Sequence, residues 1–205
     1  MTLQGNVHVI CDLHLKGASD PQFKHLQTWL EGIPTSHGLW ILGDLFEYWL
    51  GGASMLDPEH APVLELLLQR TQNGGAIGLI PGNRDFLVDD EFAIKTGVSI
   101  HPEGVSLDGP GGGWLLLHGD ELCTLDKGYQ RLRRVLRSRP VRFLVRHQPA
   151  FLSRALARRL RRASKKSVPS KDPAQMEMQP DEARSRARAA KAQTLLCGHA
   201  HRYRD

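Results

Sequence analysis

The stretch "HVICDLHLKG", residues 8–17, decides how this chain is read. Residues 8–11 read as the end of a β-strand. Asp12 and His14 follow two positions apart, and a strand period of two would turn both side chains to the same side. A carboxylate and an imidazole leaving a strand together point to a shared ligand. Taken alone, the tripeptide is better explained as a turn-capping aspartate beside a packed histidine, so the weight must come from the other strand ends.

Short apolar runs recur at residues 7–11, 39–42, 76–80, 114–117 and 194–197. "LWIL" leads into Gly43-Asp44, and "IGLIP" into Gly82-Asn83-Arg84-Asp85. "WLLL" leads into His118-Gly119-Asp120, and "TLLC" into Gly198-His199-Ala200-His201. In open sheets ligand sites form at the carboxyl ends of strands, so groups spread over nearly the whole chain can converge there. Read singly, each cluster is weak; together and in this order they argue for one site. Helical patterns at residues 21–30, 58–71 and 181–191 alternate with the strands, which predicts an α/β layered fold. The glycine cluster "GPGGG" at 109–113 is expected to join two antiparallel strands, 105–107 and 114–117, and no cluster has the spacing of a dinucleotide or phosphate loop.

The chain has 205 residues and a mass of 22.9 kDa, enough for one domain with its own core. No apolar run approaches the roughly 18–20 residues needed to cross a bilayer. The first fifteen residues show no basic n-region, apolar h-region or cleavage site, so a cytoplasmic location is expected. Three widely spaced cysteines, Cys11, Cys123 and Cys197, indicate neither a disulfide framework nor a thiolate zinc site. The net charge of +5 conceals a polarisation: residues 1–126 hold 5 basic and 17 acidic residues, whereas residues 127–171 hold 16 basic residues and no acid. Such a basic insert points to phosphates or an anionic membrane surface. Within it, Leu132, Val135 and Leu136 share one helical face, with Pro140 expected to close the helix, and Leu152, Ala155, Leu156 and Leu160 share another. Packing of these stripes against the body, with the arginines in solvent, is the simplest expectation, and lipid association needs the same pattern. Only Tyr129, Phe143 and Phe151 interleave the basic residues, so no nucleic-acid partner is expected.

The motifs DLH, GD, GNRD, HGD and GHAH resemble those of the calcineurin-like metallophosphoesterases. The resemblance implies an α/β sandwich of two mixed β-sheets flanked by helices, formed by residues 1–205 as a single domain, with a helical lid insertion at about 127–171. It also implies two divalent metal ions, Mn²⁺ foremost. Asp12, His14 and His201 would hold one, Asn83, His118 and His199 the other, and Asp44 would bridge them. Carboxylate, amide oxygen and imidazole suit Mn²⁺, Fe or Zn. Asp44, Asn83, Arg84 and His118 would be catalytic, with Asp85 and Asp120 orienting metal-bound groups. The glycines before Asp44, Asn83 and His199 would let the backbone come close to the ions.

Within that family, "CDLHL", "ILGDLFEYWLG", "GNRDFL" and "LHGDELCTLDKGYQ" resemble the UDP-2,3-diacylglucosamine diphosphatases of lipid A biosynthesis. Many family members carry a proton-donating His after Gly-Asn; here Arg84 stands in its place. A guanidinium gives up no proton at neutral pH, but its planar fork can hold a pyrophosphate. The resemblance implies attack of a dimetal-bound hydroxide on the α-phosphorus, giving UMP and 2,3-diacylglucosamine 1-phosphate. Substrate contacts would fall on Asn83, Arg84, Asp126, Ser164, Lys171 and His199. The lid would hold the acyl chains, and a monomer would rest peripherally on the cytoplasmic face of the anionic inner membrane. The alternative is a phosphoesterase of the same fold acting on another nucleotide or phosphodiester. Three features depart from the pattern: Cys11 replaces a small Ser or Ala, GHAH replaces GHTH, and Val168 stands where a polar substrate contact is expected. The chain also stops at Asp205, where the resemblance implies further β-structure: either the chain is truncated there or its sheet closes differently.

Overall fold

"LWIL" and "WLLL" lack the polar-apolar alternation of a half-buried strand because each is covered on both faces. In the computed structural model, which describes residues 5–109, 111–147 and 176–201, they lie at the centre of two stacked sheets. The first sheet has the order β1 (Val7–Ile10), β2 (Gly38–Ile41), β3 (Ile77–Leu79), β4 (Ser99–Ile100), with every pairing parallel. The second has the order β5 (Val105–Gly109), β6 (Gly112–Leu117), β7 (Thr194–Cys197), antiparallel then parallel. The expected sandwich is therefore present, with the mixture of strand directions confined to the second sheet among the described residues.

Residue parity assigns the layers. Leu39 and Ile41 face the helices together with Ile77 and Leu79, whereas Trp40, Leu42 and Ile80 turn inward onto Leu107 and Leu116 of the second sheet. Leu115 and Leu117 point the other way, onto Leu122 and the helix α7 (Pro180–Ala189). The order of layers is helix, sheet, sheet, helix.

Parallel strands require crossovers, and each here is helical. α1 (Pro21–Glu31) begins where Asp20 accepts from the Gln22 N–H at 3.0 Å and Pro21 presets the first turn, and it buries Phe23, Leu26 and Leu30. After a one-turn α2 (Gly52–Met55), α3 (Ala61–Gln72) buries Val63, Leu64 and Leu67. Its Arg70 donates to the carbonyls of Ile33, Pro34 and His37 at 3.0–3.2 Å, tying α3 to the turn before β2. α4 (Asp90–Thr96) is capped by Asp89 and ends at Gly97 in the left-handed conformation (φ 72°). Neither α4 nor the two-residue β4 is legible as a periodic run.

The basic stretch opens with α5 (Lys127–Leu136) and α6 (Arg139–His147). α5 ends before Pro140, as expected, but the chain turns helical again and Pro140 becomes the second residue of α6, where a missing N–H costs nothing. The rest of the expected lid, including Leu152, Leu156, Leu160, Ser164, Val168 and Lys171, lies outside the described residues. α5 also reverses the expected polarity. Leu132 and Val135 are exposed, while Tyr129, Arg133 and Arg137 face the body. The cause is Asp120, fully buried at the end of β6 and met by the Tyr129 hydroxyl at 2.5 Å and Arg133 Nε at 2.8 Å. No helix among the described residues is long and apolar enough to cross a membrane.

Candidate functional site

The loops that follow β1 and β2 continue the parallel pairing beyond the strands. Asp12 N–H donates to the Gly43 carbonyl (3.1 Å), His14 N–H to that of Asp44 (2.9 Å) and Leu15 N–H to that of Leu45 (2.9 Å). The strand period does not aim Asp12 and His14, because β1 stops at Ile10 and both residues are left-handed, with φ of 55° and 49°. Asp44, His199 and His201 share this conformation (φ 51°, 71° and 49°), and Lys191 is the one other described non-glycine residue with positive φ. Each such residue costs about 1–3 kcal/mol and persists only where its surroundings hold it, and such strain gathers at functional sites.

The glycines make the approach possible. A Cβ at Gly82 would fall 2.2 Å from Asp44 Oδ1, and one at Gly198 would fall 2.6 Å from Asp12 Oδ2. Asp85, fully buried, accepts from the N–H groups of Gly82 (2.6 Å), Asp44 (3.2 Å) and Leu45 (2.8 Å). It therefore orders two donor loops through their backbones rather than through a side chain. Both oxygens of Asp12 accept from His199 N–H, at 3.1 and 2.8 Å, which joins the first loop to the last.

Two donor groups result. Asp12, His14 and His201 bring one ligand atom each within 4.8 Å of one another, as do Asp44, His118 and His199. Asn83 Oδ1 joins the second group, 3.1 Å from His118 Nε2 and 2.9 Å from His199 Nδ1. Asp44 lies between the groups, Oδ2 at 3.9 Å from His14 Nδ1 and Oδ1 at 3.8 Å from His118 Nε2. All seven residues expected as metal ligands thus meet at one place.

The donor set fits divalent cations. His14 Nδ1 is buried without a hydrogen-bond partner, and His14 Nε2 faces His201 Nε2 at 3.3 Å. His118 Nδ1 lies 2.8 Å from the Leu42 carbonyl, which places the ring proton there and leaves the Nε2 lone pair for the site. Burial pushes Asp44 up to about 7 against the opposing pull of His118, and burial together with His118 lowers His199 to about 4. His14 is lowered too, by burial and by Arg84. Burial opposes the charged form of His118, but Asp44 and Asp120 outweigh it and raise this group. His14 and His199 are therefore biased towards the neutral imidazole a cation needs, whereas a cation at the second group would compete with a proton on His118 and on Asp44. Cys11 stands next to Asp12, yet burial and Asp12 push its thiol up to about 12, so it offers no thiolate.

Arg84 adjoins this centre. Its N–H donates to Asp44 Oδ1 at 2.8 Å, its carbonyl accepts from Trp49 N–H at 3.0 Å, and its guanidinium donates to the Tyr48 hydroxyl while lying 5.2 Å from that ring's centroid. Tyr48 is a functional contact that the sequence does not single out: its neighbour Trp49 packs on Phe46 and Phe92, whereas Tyr48 carries Arg84. No spacing rule links two residues 36 positions apart. Asp126 caps α5 by accepting from Tyr129 N–H at 3.0 Å. Asp120, expected to orient metal-bound groups, is engaged by Tyr129 and Arg133 and anchors α5. Ser164 and Lys171 lie outside the described residues. A mostly apolar cavity of about 440 Å³ borders His199 and Ala200, lined by Leu122, Met178, Ala183 and Leu195.

The calcineurin-like phosphoesterase family model matches residues 5–203. Among curated proteins, the chain is 35% identical over 198 residues to the UDP-2,3-diacylglucosamine hydrolase of Pseudomonas paraeruginosa, covering 96% of this chain and 82% of that one. The corresponding Pseudomonas aeruginosa protein gives the same identity and coverage. That of Shewanella pealeana is 36% identical over 198 residues, 93% of this chain and 80% of its own.

Proposed function

Because the chain belongs to the calcineurin-like phosphoesterase family and is a hydrolase, we propose that it cleaves the pyrophosphate of UDP-2,3-diacylglucosamine to UMP and 2,3-diacylglucosamine 1-phosphate, in lipid A biosynthesis. The observation that carries this reading is the position of Asp44 between Asp12, His14 and His201 on one side and Asn83, His118 and His199 on the other, with the backbone N–H of Arg84 on the same carboxylate. Asp12, His14 and His201 would hold one divalent ion, Asn83, His118 and His199 the other, and Asp44 both. Oxygen and imidazole donors without a thiolate suit Mn²⁺, Fe or Zn, and the family resemblance puts Mn²⁺ foremost. Two such ions, when bound, supply an activated water and neutralise charge on both oxygens of an in-line displacement at phosphorus.

The chain's own residues do the rest. Arg84 holds pyrophosphate oxygens through its planar fork and donates no proton, which suits a leaving group that is itself a phosphate. Tyr48 keeps the guanidinium in place. In this reading Asn83 and His199 would also meet a phosphate oxygen, and Asp126, Ser164 and Lys171 are the remaining substrate contacts. Leu132, Val135, Phe143 and Leu144 are exposed on α5 and α6, and with residues 148–171 they would form a lid for acyl chains within one domain spanning 1–205. The arginines around that face suit a monomer resting on the cytoplasmic side of an anionic inner membrane, without nucleic acid.

The test is an assay of purified protein with Mn²⁺ and UDP-2,3-diacylglucosamine, reading UMP by mass spectrometry. Release of UMP that disappears on chelation and in Asp44→Ala or His118→Ala supports the proposal. Turnover of an aryl phosphodiester with none of the lipid nucleotide would replace it with a phosphodiesterase of different substrate.

A further inference from the structure

Arg137 follows the last residue of α5, and its guanidinium reaches three other segments of the chain. Nη2 donates to the carbonyls of Pro81 and Gly82, both at 3.1 Å, and lies 3.7 Å from Asp120 Oδ2. Nη1 donates to the Pro102 carbonyl at 3.4 Å. Pro81 and Gly82 immediately precede Asn83, and Asp120 stands two residues after His118. One cation thus grips the chain next to two of the three side chains other than Asp44 that make up the second donor group.

α5 has other attachments besides this grip. Tyr129 and Arg133 already bind Asp120, and Gln130 donates to the carbonyls of Asp120 (2.8 Å) and Cys123 (3.1 Å). The carbonyls that Arg137 holds, by contrast, sit at the tightest point of the site, where Gly82 has no room for a Cβ against Asp44. A charge-assisted pair of bonds there fixes the loop that delivers Asn83 against the strand end that delivers His118.

We propose that Arg137 is a positioning residue for the ion held by Asn83, His118 and His199, which makes α5 a structural part of the metal centre and not only the root of a lid. The inference rests on the metal-centre reading above. Its sign separates it from electrostatics: a guanidinium repels a nearby cation, so by charge alone its loss would tighten metal binding, whereas loss of a positioning group weakens it.

The experiment is a Mn²⁺ titration of full-length protein by calorimetry, with low-temperature electron paramagnetic resonance as the structural readout. The unaltered protein is expected to take up two ions with an exchange-coupled signal. Arg137→Ala is expected to weaken one ion by about 10–100-fold, the range typical for groups that support ligands, and to show the six-line signal of isolated Mn²⁺ at intermediate loading. Arg137→Lys, which retains the charge but not the fork, is expected to fall between the two. Arg133→Ala removes contacts to Asp120 and Glu121 without touching residues 81–82, and is expected to lower the melting temperature while keeping both ions. If Arg137→Ala fails to fold, Arg137→Gln takes its place with the same expected weakening. Undiminished or tighter binding of both ions by the Arg137 variant overturns the proposal, as does equal loss of one ion in Arg133→Ala. An unaltered protein that binds no pair of ions would refute the metal-centre reading itself, and is recognised by that control alone.

Discussion

Asp120→Asn keeps the shape of a buried side chain and removes its charge, which makes it the sharpest probe of how α5 is held. The carboxylate is fully buried, accepts from Tyr129 and Arg133 at 2.5 and 2.8 Å, and has Arg137 at 3.7 Å. Removing one partner from a buried ion pair typically costs about 3–5 kcal/mol, because the opposite charge is left uncompensated. At about 2–4 °C per kcal/mol for a chain of this size, the melting temperature should fall by about 6–20 °C. The pH dependence follows from the sign of the shift. Burial by itself would raise Asp120, but Arg137, His118 and Arg133 outweigh it and hold the group well below the usual carboxylate range. Its contribution is therefore complete above the unfolded-state value of about 4 and is lost as pH falls from there towards the folded value. Urea denaturation followed by circular dichroism should give the same difference between the two proteins at pH 7 and pH 5, and a smaller one at pH 3. A difference below about 1 kcal/mol at pH 7, the scale of an exposed pair, or a gap that stays constant down to pH 3, would refute the reasoning.

Tyr48→Phe keeps the ring beneath Arg84 and removes the hydroxyl. The kcat/KM for the lipid nucleotide should fall by about 10–100-fold, the worth of one hydrogen bond to a charged group, with no further loss when the change is made in Arg84→Ala; an additive loss would show that Tyr48 acts elsewhere. Because burial raises Asp44 to about 7, a proton competes with the cation below that pH. The apparent affinity for Mn²⁺ should thus rise by up to about tenfold per pH unit for each proton displaced and level off above pH 7. Isothermal titration between pH 5.5 and 8 measures this, and an affinity flat across the range, or as steep in Asp44→Asn, would contradict the assignment.

The site was legible because metal chemistry constrains residue type more tightly than folding does. Carboxylates, an amide and imidazoles placed directly after apolar runs have few other uses, and the runs declared themselves by being apolar on both faces, as Trp40 between Leu39 and Ile41 illustrates. The means of convergence was not legible. Asp12 and His14 are aimed by left-handed backbone held by neighbouring loops, and such conformations depend on partners distant in sequence. α4 and β4 are too short for periodicity to register. The reversed face of α5 escaped for a related reason. A hydrophobic stripe predicts the buried side only where the body beneath is apolar, and here it presents Asp120. Tyr48 and Arg84 show the same limit at a single contact.

The ring contact between His14 and His201 spans 187 positions, and its consequence reaches into biogenesis. The centre draws its first donors from the opening strand and its last from β7, so a nascent chain emerging from the ribosome carries Asp12, His14 and Asp44 long before His199 and His201 exist. Closure over that separation is slow, so both donor groups are complete only once β7 has docked beside β6. A cation held by the first group would then be taken up late, acting as a clasp between the earliest and the latest of the paired strands.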